Sequence, residues 1–178
     1  SRGARPTANP VVGGDGGQVQ TAPTSPNYIY GEYQYLGAHR STNGGSSART
    51  ITSGLGDFGS GRSNFISPLR LDPNNPRRLY AGGRSLWRTA DARASSVGWQ
   101  AVKNNVGSLI SAIDVAPGNA NLVFVGHNDG RLYRSTNATS ASPSWTAVDD
   151  NGSKNPLPNR VLTRIAVDPR QNNVVYAS

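Results

Sequence analysis

The 178 residues contain no cysteine, no methionine, one glutamate (Glu32) and two lysines, Lys103 and Lys154. The lack of cysteine excludes disulfides, thiolate metal sites and cysteine nucleophiles together. Without a methionine, the opening Ser1-Arg2-Gly3 reads as a processed end or an internal cut. No apolar run approaches the roughly 18–20 residues a membrane helix needs, so no span is expected. No charged segment followed by an apolar stretch opens the chain, so any signal peptide is expected to have gone already. Good helix formers other than Ala and Arg are scarce, and no stretch keeps a 3.6-residue apolar period for three turns.

What is abundant points the other way. The chain has 21 glycines and 12 prolines, with no three-residue period. That richness means many tight turns, hence many short strands, and an all-β chain is expected. The net charge of +8 rests on arginine. A nucleic-acid surface would cluster its cations among aromatics, whereas only Arg77 and Arg78 are adjacent here; nucleic acid is therefore not an expected partner.

Self-comparison carries the fold. A proline is followed seven residues later by an aromatic at Pro23/Tyr30, Pro73/Tyr80, Pro117/Phe124 and Pro169/Tyr176, at spacings of 50, 44 and 52 residues. The surrounding text agrees: LRLDPNNPRRLYAGG from Leu69, IDVAPGNANLVFVGH from Ile113 and IAVDPRQNNVVYAS from Ile165, with VQTAPTSPNYIYGEY from Val19 the most diverged. An alternating segment such as Leu69 and Leu71 is a half-buried strand, which Asp-Pro or Ala-Pro then ends because proline cannot donate to the next ladder position. A second strand begins near Leu79. A third holds Leu86–Thr89 or Leu132–Ser135, and a fourth follows Trp99 or Trp145. These two tryptophans stand 46 residues apart at equivalent places and predict packing between units. A period of roughly 40–50 residues with four strands is that of a propeller blade.

After the third strand come Arg40-Ser41-Thr42-Asn43-Gly44-Gly45, Arg88-Thr89-Ala90-Asp91 and Arg134-Ser135-Thr136-Asn137. These resemble the Asp-box of the BNR/Asp-box repeat propellers, Ser-x-Asp-x-Gly-x-x-Trp, a group that includes sialidases, xyloglucanase-like glycoside hydrolases and sortilin-like domains. Asn43 and Asn137 stand where the box has Asp, Gly45 alone keeps its glycine, and Asp91 and Asn137 precede their tryptophans by eight residues. In that family the box is a structural turn, which assigns Ser41, Asn43, Gly45, Thr89, Asp91, Ser135 and Asn137 to architecture. Asn suits such a turn because it accepts the same hydrogen bonds and tolerates left-handed conformations. The Gly13-Gly14-Asp15-Gly16-Gly17 opening followed by Tyr30-Gly31-Glu32-Tyr33 looks most like secreted bacterial BNR-repeat proteins. The resemblance implies an extracellular protein whose ligand is a carbohydrate or a cell-surface polymer.

Glycosidases need two carboxyl groups across a cleft. Asp72 and Asp168 belong to the Asp-Pro turns and Asp91 to the box, so these three are structural; of the remaining carboxylates, Asp15 stands before an inner strand where loops face a central funnel, and Glu32 stands among tyrosines. The ligand-binding candidates are Asp15, Glu32, Tyr33, Tyr35 and Trp87, with Asp15 and Glu32 the only catalytic ones. A sialidase would need an arginine clamp with a Tyr/Glu pair, and a xyloglucanase-like enzyme two aspartates from separate propeller domains. The chain by itself therefore reads as a binding or scaffold module, the alternative being part of a propeller glycoside hydrolase. His39 and His127 lack companion ligands, and no metal site or cofactor is expected; loop oxygens at Asp129 or Asp149-Asp150 are of the kind that hold calcium in secreted β proteins.

The expected organisation is an N-terminal extension over 1–12, then units over about 13–60, 61–107, 108–157 and a partial 158–178. That is about three and a half blades, while a propeller ring closes with four to eight. The ring is therefore expected to be completed by the rest of a longer polypeptide or by a second copy.

Overall fold

The computed structural model describes residues 15–149 and 157–178. The extension expected over 1–12, together with Gly13, Gly14, Asp150 and the Asn151-Gly152-Ser153 stretch, lies outside them. Three antiparallel four-stranded sheets follow one another along the chain, each in simple up-and-down order, and a two-stranded sheet comes last. Blade one is β1 (Val19–Ala22), β2 (Ser25–Tyr33), β3 (Gly37–Ser41) and β4 (Arg49–Thr50). Blade two is β5 (Leu69–Leu71), β6 (Leu79–Gly82), β7 (Leu86–Thr89) and β8 (Gln100–Lys103). Blade three is β9 (Ile110–Val115), β10 (Val123–His127), β11 (Leu132–Ser135) and β12 (Thr146–Ala147). The fourth unit contributes β13 (Ile165–Val167) and β14 (Val175–Ala177). The all-β, propeller-type fold with about three and a half blades is what the repeat predicts.

The blades are stacked side by side, with the first strand of each innermost: β1 lies along β5, β5 along β9 and β9 along β13. Apolar burial sits between the blades. One core joins Tyr30 of blade one to Leu69, Leu79 and Val97 of blade two. A second joins Tyr80 to Ile110, Val123 and Val125, and a third joins Phe124 to Leu162, Ile165 and Val167. The aromatic of each second strand is thus roofed by the following unit, which is why it recurs. Its fourth copy, Tyr176, has no following unit over it and is 64 % exposed. The tryptophan spacing has a matching cause, because Trp99 Nε1 donates to the Ile51 carbonyl of the preceding blade and Trp145 Nε1 to Val102, both at 2.7 Å.

Candidate functional site

The longest strand, β2, ends at Tyr33 and enters a 3₁₀ turn at Gln34–Leu36. Tyr35 (φ 54°) and Leu36 (φ 65°) are both left-handed, the only two non-glycine residues with positive φ among those described. Such a conformation costs roughly 1–2 kcal/mol per residue unless the surroundings impose it. Here they do. Tyr35 donates its N–H to the Phe65 carbonyl (3.0 Å) and accepts from Gly59 N (3.0 Å), and Leu36 N donates to Glu32 Oε1 (3.2 Å). Leu36 is buried, so the turn is pinned from below while its aromatic side chain lies above.

That arrangement builds a shelf. The Tyr35 ring meets Phe65 edge-to-face at 5.3 Å, and Phe58 lies over Gly37, at ordinary contact distance from where a side chain there would begin. Phe58, Phe65 and Ile66 are between 43 and 52 % exposed, an unusual concentration of bare apolar surface for one rim. Polar groups border it: Gln34 Nε2 donates to Asp15 Oδ2 at 3.0 Å, and half-buried Tyr33 stands edge-on to His39 at 6.5 Å. Exposed rings beside a carboxylate and an amide can take a ligand with both apolar faces and hydroxyl groups.

Glu32 lies beneath the shelf. It is buried, its Oε1 is held by Leu36 N, and a side chain on Gly17 would collide with its Oε2, so this glycine is demanded by contact. Burial pushes the carboxyl up to about 7, opposed in part by the backbone amides of Ser67, Leu36 and Gln18. The structure therefore brings Asp15, Glu32, Tyr33 and Tyr35 to one rim, and leaves Trp87 apart. Its indole N–H donates to Asp57 Oδ2 (2.9 Å), which also accepts Ser85 N (2.7 Å), and its ring packs into the seam between blades one and two.

The expected funnel is a separate place. A cavity of about 470 Å³ along the innermost strands is lined by Gln18, Gln20, Arg70, Asp114, Thr163 and Arg164 among others, but neither Asp15 nor Glu32 lines it. Arg70 Nη2 and Asp114 Oδ1 pair across it at 2.7 Å, while Asp114 Oδ2 accepts Val167 N (2.8 Å). Gln18 and Gln20 accept the N–H groups of Leu69 and Leu71 in the same way. These side chains tie neighbouring inner strands together. Reading the repeat three residues before each proline (Gln20, Arg70, Asp114, Ala166) would have found this wall. Phe58 and Phe65 carry no such signal, because residues 51–68 are a long irregular connection where the next one, 104–109, is short.

The box-like turns are closed by their own side chains. Ser41 Oγ accepts Gly45 N (2.9 Å), and Asn43 Oδ1 accepts Ser47 N (3.0 Å). Asn137 Oδ1 accepts Ser144 N (2.9 Å) and a hydrogen bond from Ser135 Oγ (3.1 Å). Thr89 Oγ1 accepts Asp91 N, and Asp91 accepts Arg93 N (2.9 Å). Of the calcium candidates, Asp129 is engaged by Arg131 (2.7 Å) and Asp150 lies outside the described residues.

No family model and no curated protein matches the chain. Among solved structures it is similar to an ancestral GH74 enzyme, with TM-score 0.67 and 21 % identity over 95 % of this chain and 22 % of that one. It is also similar to the GH74 xyloglucanase from Xanthomonas campestris, with TM-score 0.61 and 14 % identity over 89 % of this chain and 26 % of that one. The chain thus spans about a quarter of the length of these enzymes. The likeness supports a β-propeller fold, consistent with the blade topology seen here.

Proposed function

We propose that this chain is an extracellular propeller segment of the BNR/Asp-box kind that recognises a carbohydrate or cell-surface polymer at the blade-one rim. The observation that carries this reading is the shelf of exposed Phe58 and Phe65 with half-buried Tyr35 between them and the Asp15–Gln34 pair, held by a strained turn. Backbone strain retained under exposed aromatics marks places kept for contact rather than stability. The similarity to propeller glycoside hydrolases makes a glycan the first ligand to try. No cofactor enters this reading, and the ring is completed by further chain or by a second copy.

The test is a panel of soluble polysaccharides, xyloglucan included, scored by shift in melting temperature, since a ligand that binds only the native state raises it by linkage. Tyr35→Gly removes the ring and suits the left-handed backbone, so it is expected to abolish the shift without lowering the unliganded melting temperature. Phe65→Ala should weaken it about tenfold. A panel that moves nothing, or a shift that persists in both variants, overturns the reading.

A second reading is part of a glycoside hydrolase, favoured by Glu32, whose carboxyl burial holds near 7, a range suited to a general acid. Hydrolysis of a panel glycan that is lost in both Glu32→Gln and Asp15→Asn would support it. Turnover surviving both substitutions would exclude it.

A further inference from the structure

Two arginines stand beside the rim shelf with no acid opposite them. They bracket the loop that carries Phe58: Arg62 Nη1 donates to the Gly56 carbonyl (3.4 Å) and Arg84 Nη2 to the Gly61 carbonyl (2.8 Å). Arg84 sits in the tight turn between β6 and β7, and its N–H donates to the Arg62 carbonyl at 2.9 Å, which fixes both residues on one stretch of surface. The same loop reaches the shelf, because Gly59 N donates to the Tyr35 carbonyl. Both arginines are exposed, and among the described residues each guanidinium uses a single N–H, on a backbone carbonyl. A guanidinium has five such donors, so most of each fork faces outward.

Neither arginine pairs with a carboxylate among the described residues, where the ion pairs take Arg70, Arg77, Arg78 and Arg131 instead. Asp57 lies in the same loop but is buried, and its Oδ2 is taken up by Ser85 N and the Trp87 indole. Beside Arg84 opens a cleft of about 370 Å³, lined also by Gly61, Asn105, Gly107, Ser108 and Leu109. Gly61 and Gly107 are left-handed (φ 74° and 88°), and a side chain on either would meet nothing within 4 Å. The cleft is therefore open, floored by bare backbone, and positive at its Arg84 wall. The opposite border of the shelf is negative, since Asp15 lies there against Gln34.

We infer that the shelf and this cleft together bind an acidic polysaccharide whose uronate carboxylates are separated by neutral sugar rings. The inference rests on the glycan reading of the shelf and narrows it. Neutral rings lie with their C–H faces on Phe58 and Phe65, and a uronate carboxylate reaches Arg84 and Arg62, whose planar forks match its two oxygens. An uncharged polymer would leave both guanidiniums without a counter-charge. A polymer charged at every unit, nucleic acid included, would carry an anion onto the Asp15 border, where like charges repel. Spaced carboxylates meet both ends of the surface.

The probe is glucuronoxylan, titrated into the 178-residue protein by calorimetry beside its carboxyl-reduced form, in which each uronate has become a neutral sugar, and beside xyloglucan. Glucuronoxylan is expected to bind about fivefold tighter than the carboxyl-reduced form, and this advantage should shrink as salt rises because both arginines are exposed. Arg84→Ala should lower glucuronoxylan binding to the level of the carboxyl-reduced form, and Arg62→Ala should take it part of the way. Neither substitution should lower the melting temperature, which separates a lost contact from a lost fold. Tyr35→Gly should weaken both forms alike. Equal binding of the two forms, an advantage that survives the double substitution Arg62→Ala/Arg84→Ala, or xyloglucan bound where glucuronoxylan is not, overturns the inference and leaves the glycan reading standing. Tighter binding of single-stranded DNA than of glucuronoxylan also overturns it, and binding of no glycan in any form overturns both.

Discussion

The seam between blades two and three and the seam between blades one and two are built on one frame but filled in opposite ways. Two residues beyond its second-strand aromatic, blade two has Gly82 and blade three has Gly126, and into each pit drops an apolar residue of the following unit, Ile110 or Leu162. Blade one has Glu32 there. Its carboxyl fills the space and accepts the Leu36 N–H, and the residue equivalent to Ile110 is Ile66, which turns outward to 52 % exposure beside Phe65. A polar group inside the seam has displaced an apolar one to the rim. The exposed shelf is the consequence of that exchange, so the irregular seam and the candidate contact surface are one feature seen from two sides.

The largest effect expected from this difference is steric. A Cβ on Gly82 would come within 2.6 Å of Ile110 and 2.7 Å of Pro68, so Gly82→Ala should destabilise by about 1–3 kcal/mol through overpacking. Gly31, beside Glu32 on β2, meets nothing within 4 Å, and Gly31→Ala should fall within about 0.5 kcal/mol of wild type. Denaturant midpoints of the two variants check the contrast; equal losses would mean that the glycine pit does not set the seam.

Next in size is a titration in which the seams oppose each other. Glu32 is raised from 4.5 to about 7 by burial, so the native state holds this proton more tightly than the unfolded chain. Its contribution is fully present below about pH 4.5 and is lost as pH rises through 7. In the other seam His127 is lowered from 6.5 to about 4, chiefly by burial and next by the Lys103 charge. The native state sheds that proton more readily, and stability is lost as pH falls from 6.5 toward 4. Each amounts to at most about 3–4 kcal/mol, at roughly 1.4 kcal/mol per pH unit. Over pH 4.5–6.5 they largely cancel in the wild type. Glu32→Gln should therefore give stability that rises with pH across this window, and His127→Gln stability that falls. Parallel slopes in the two variants would refute the opposition.

Much of this architecture is legible in the sequence because it is periodic. The proline-to-aromatic spacing locates the first two strands of every unit, and the Trp99/Trp145 interval is the interval between two identical carbonyl contacts. The inner wall is legible too, once Arg70 and Asp114 are aligned as opposite charges at one repeat position. The shelf is not. Tyr35 adopts a left-handed conformation with no glycine or asparagine to announce it, and its partners Phe58 and Phe65 come from the long connection 51–68, which the repeat does not govern. Local composition foretells a turn at Gly37 but not which side chains the turn lifts into solvent.

A last contrast separates the arginines, which the sequence presents as equals. Arg40 and Arg88 are both buried and each satisfies two carbonyls of the following blade. Removing either guanidinium leaves those carbonyls without a donor inside the seam, so Arg40→Ala and Arg88→Ala should each cost about 1–3 kcal/mol. Arg134 shares their motif but lies exposed and holds no carbonyl among the described residues, and Arg134→Ala should stay within about 0.5 kcal/mol of wild type. Thermal melts of the three variants under one condition decide the point. If Arg134→Ala were as damaging as the other two, the motif would stabilise its own blade rather than the next one. A gap between the pair and the third would place its effect in the seam, where charge alone is not enough and an acceptor in the neighbouring unit is required.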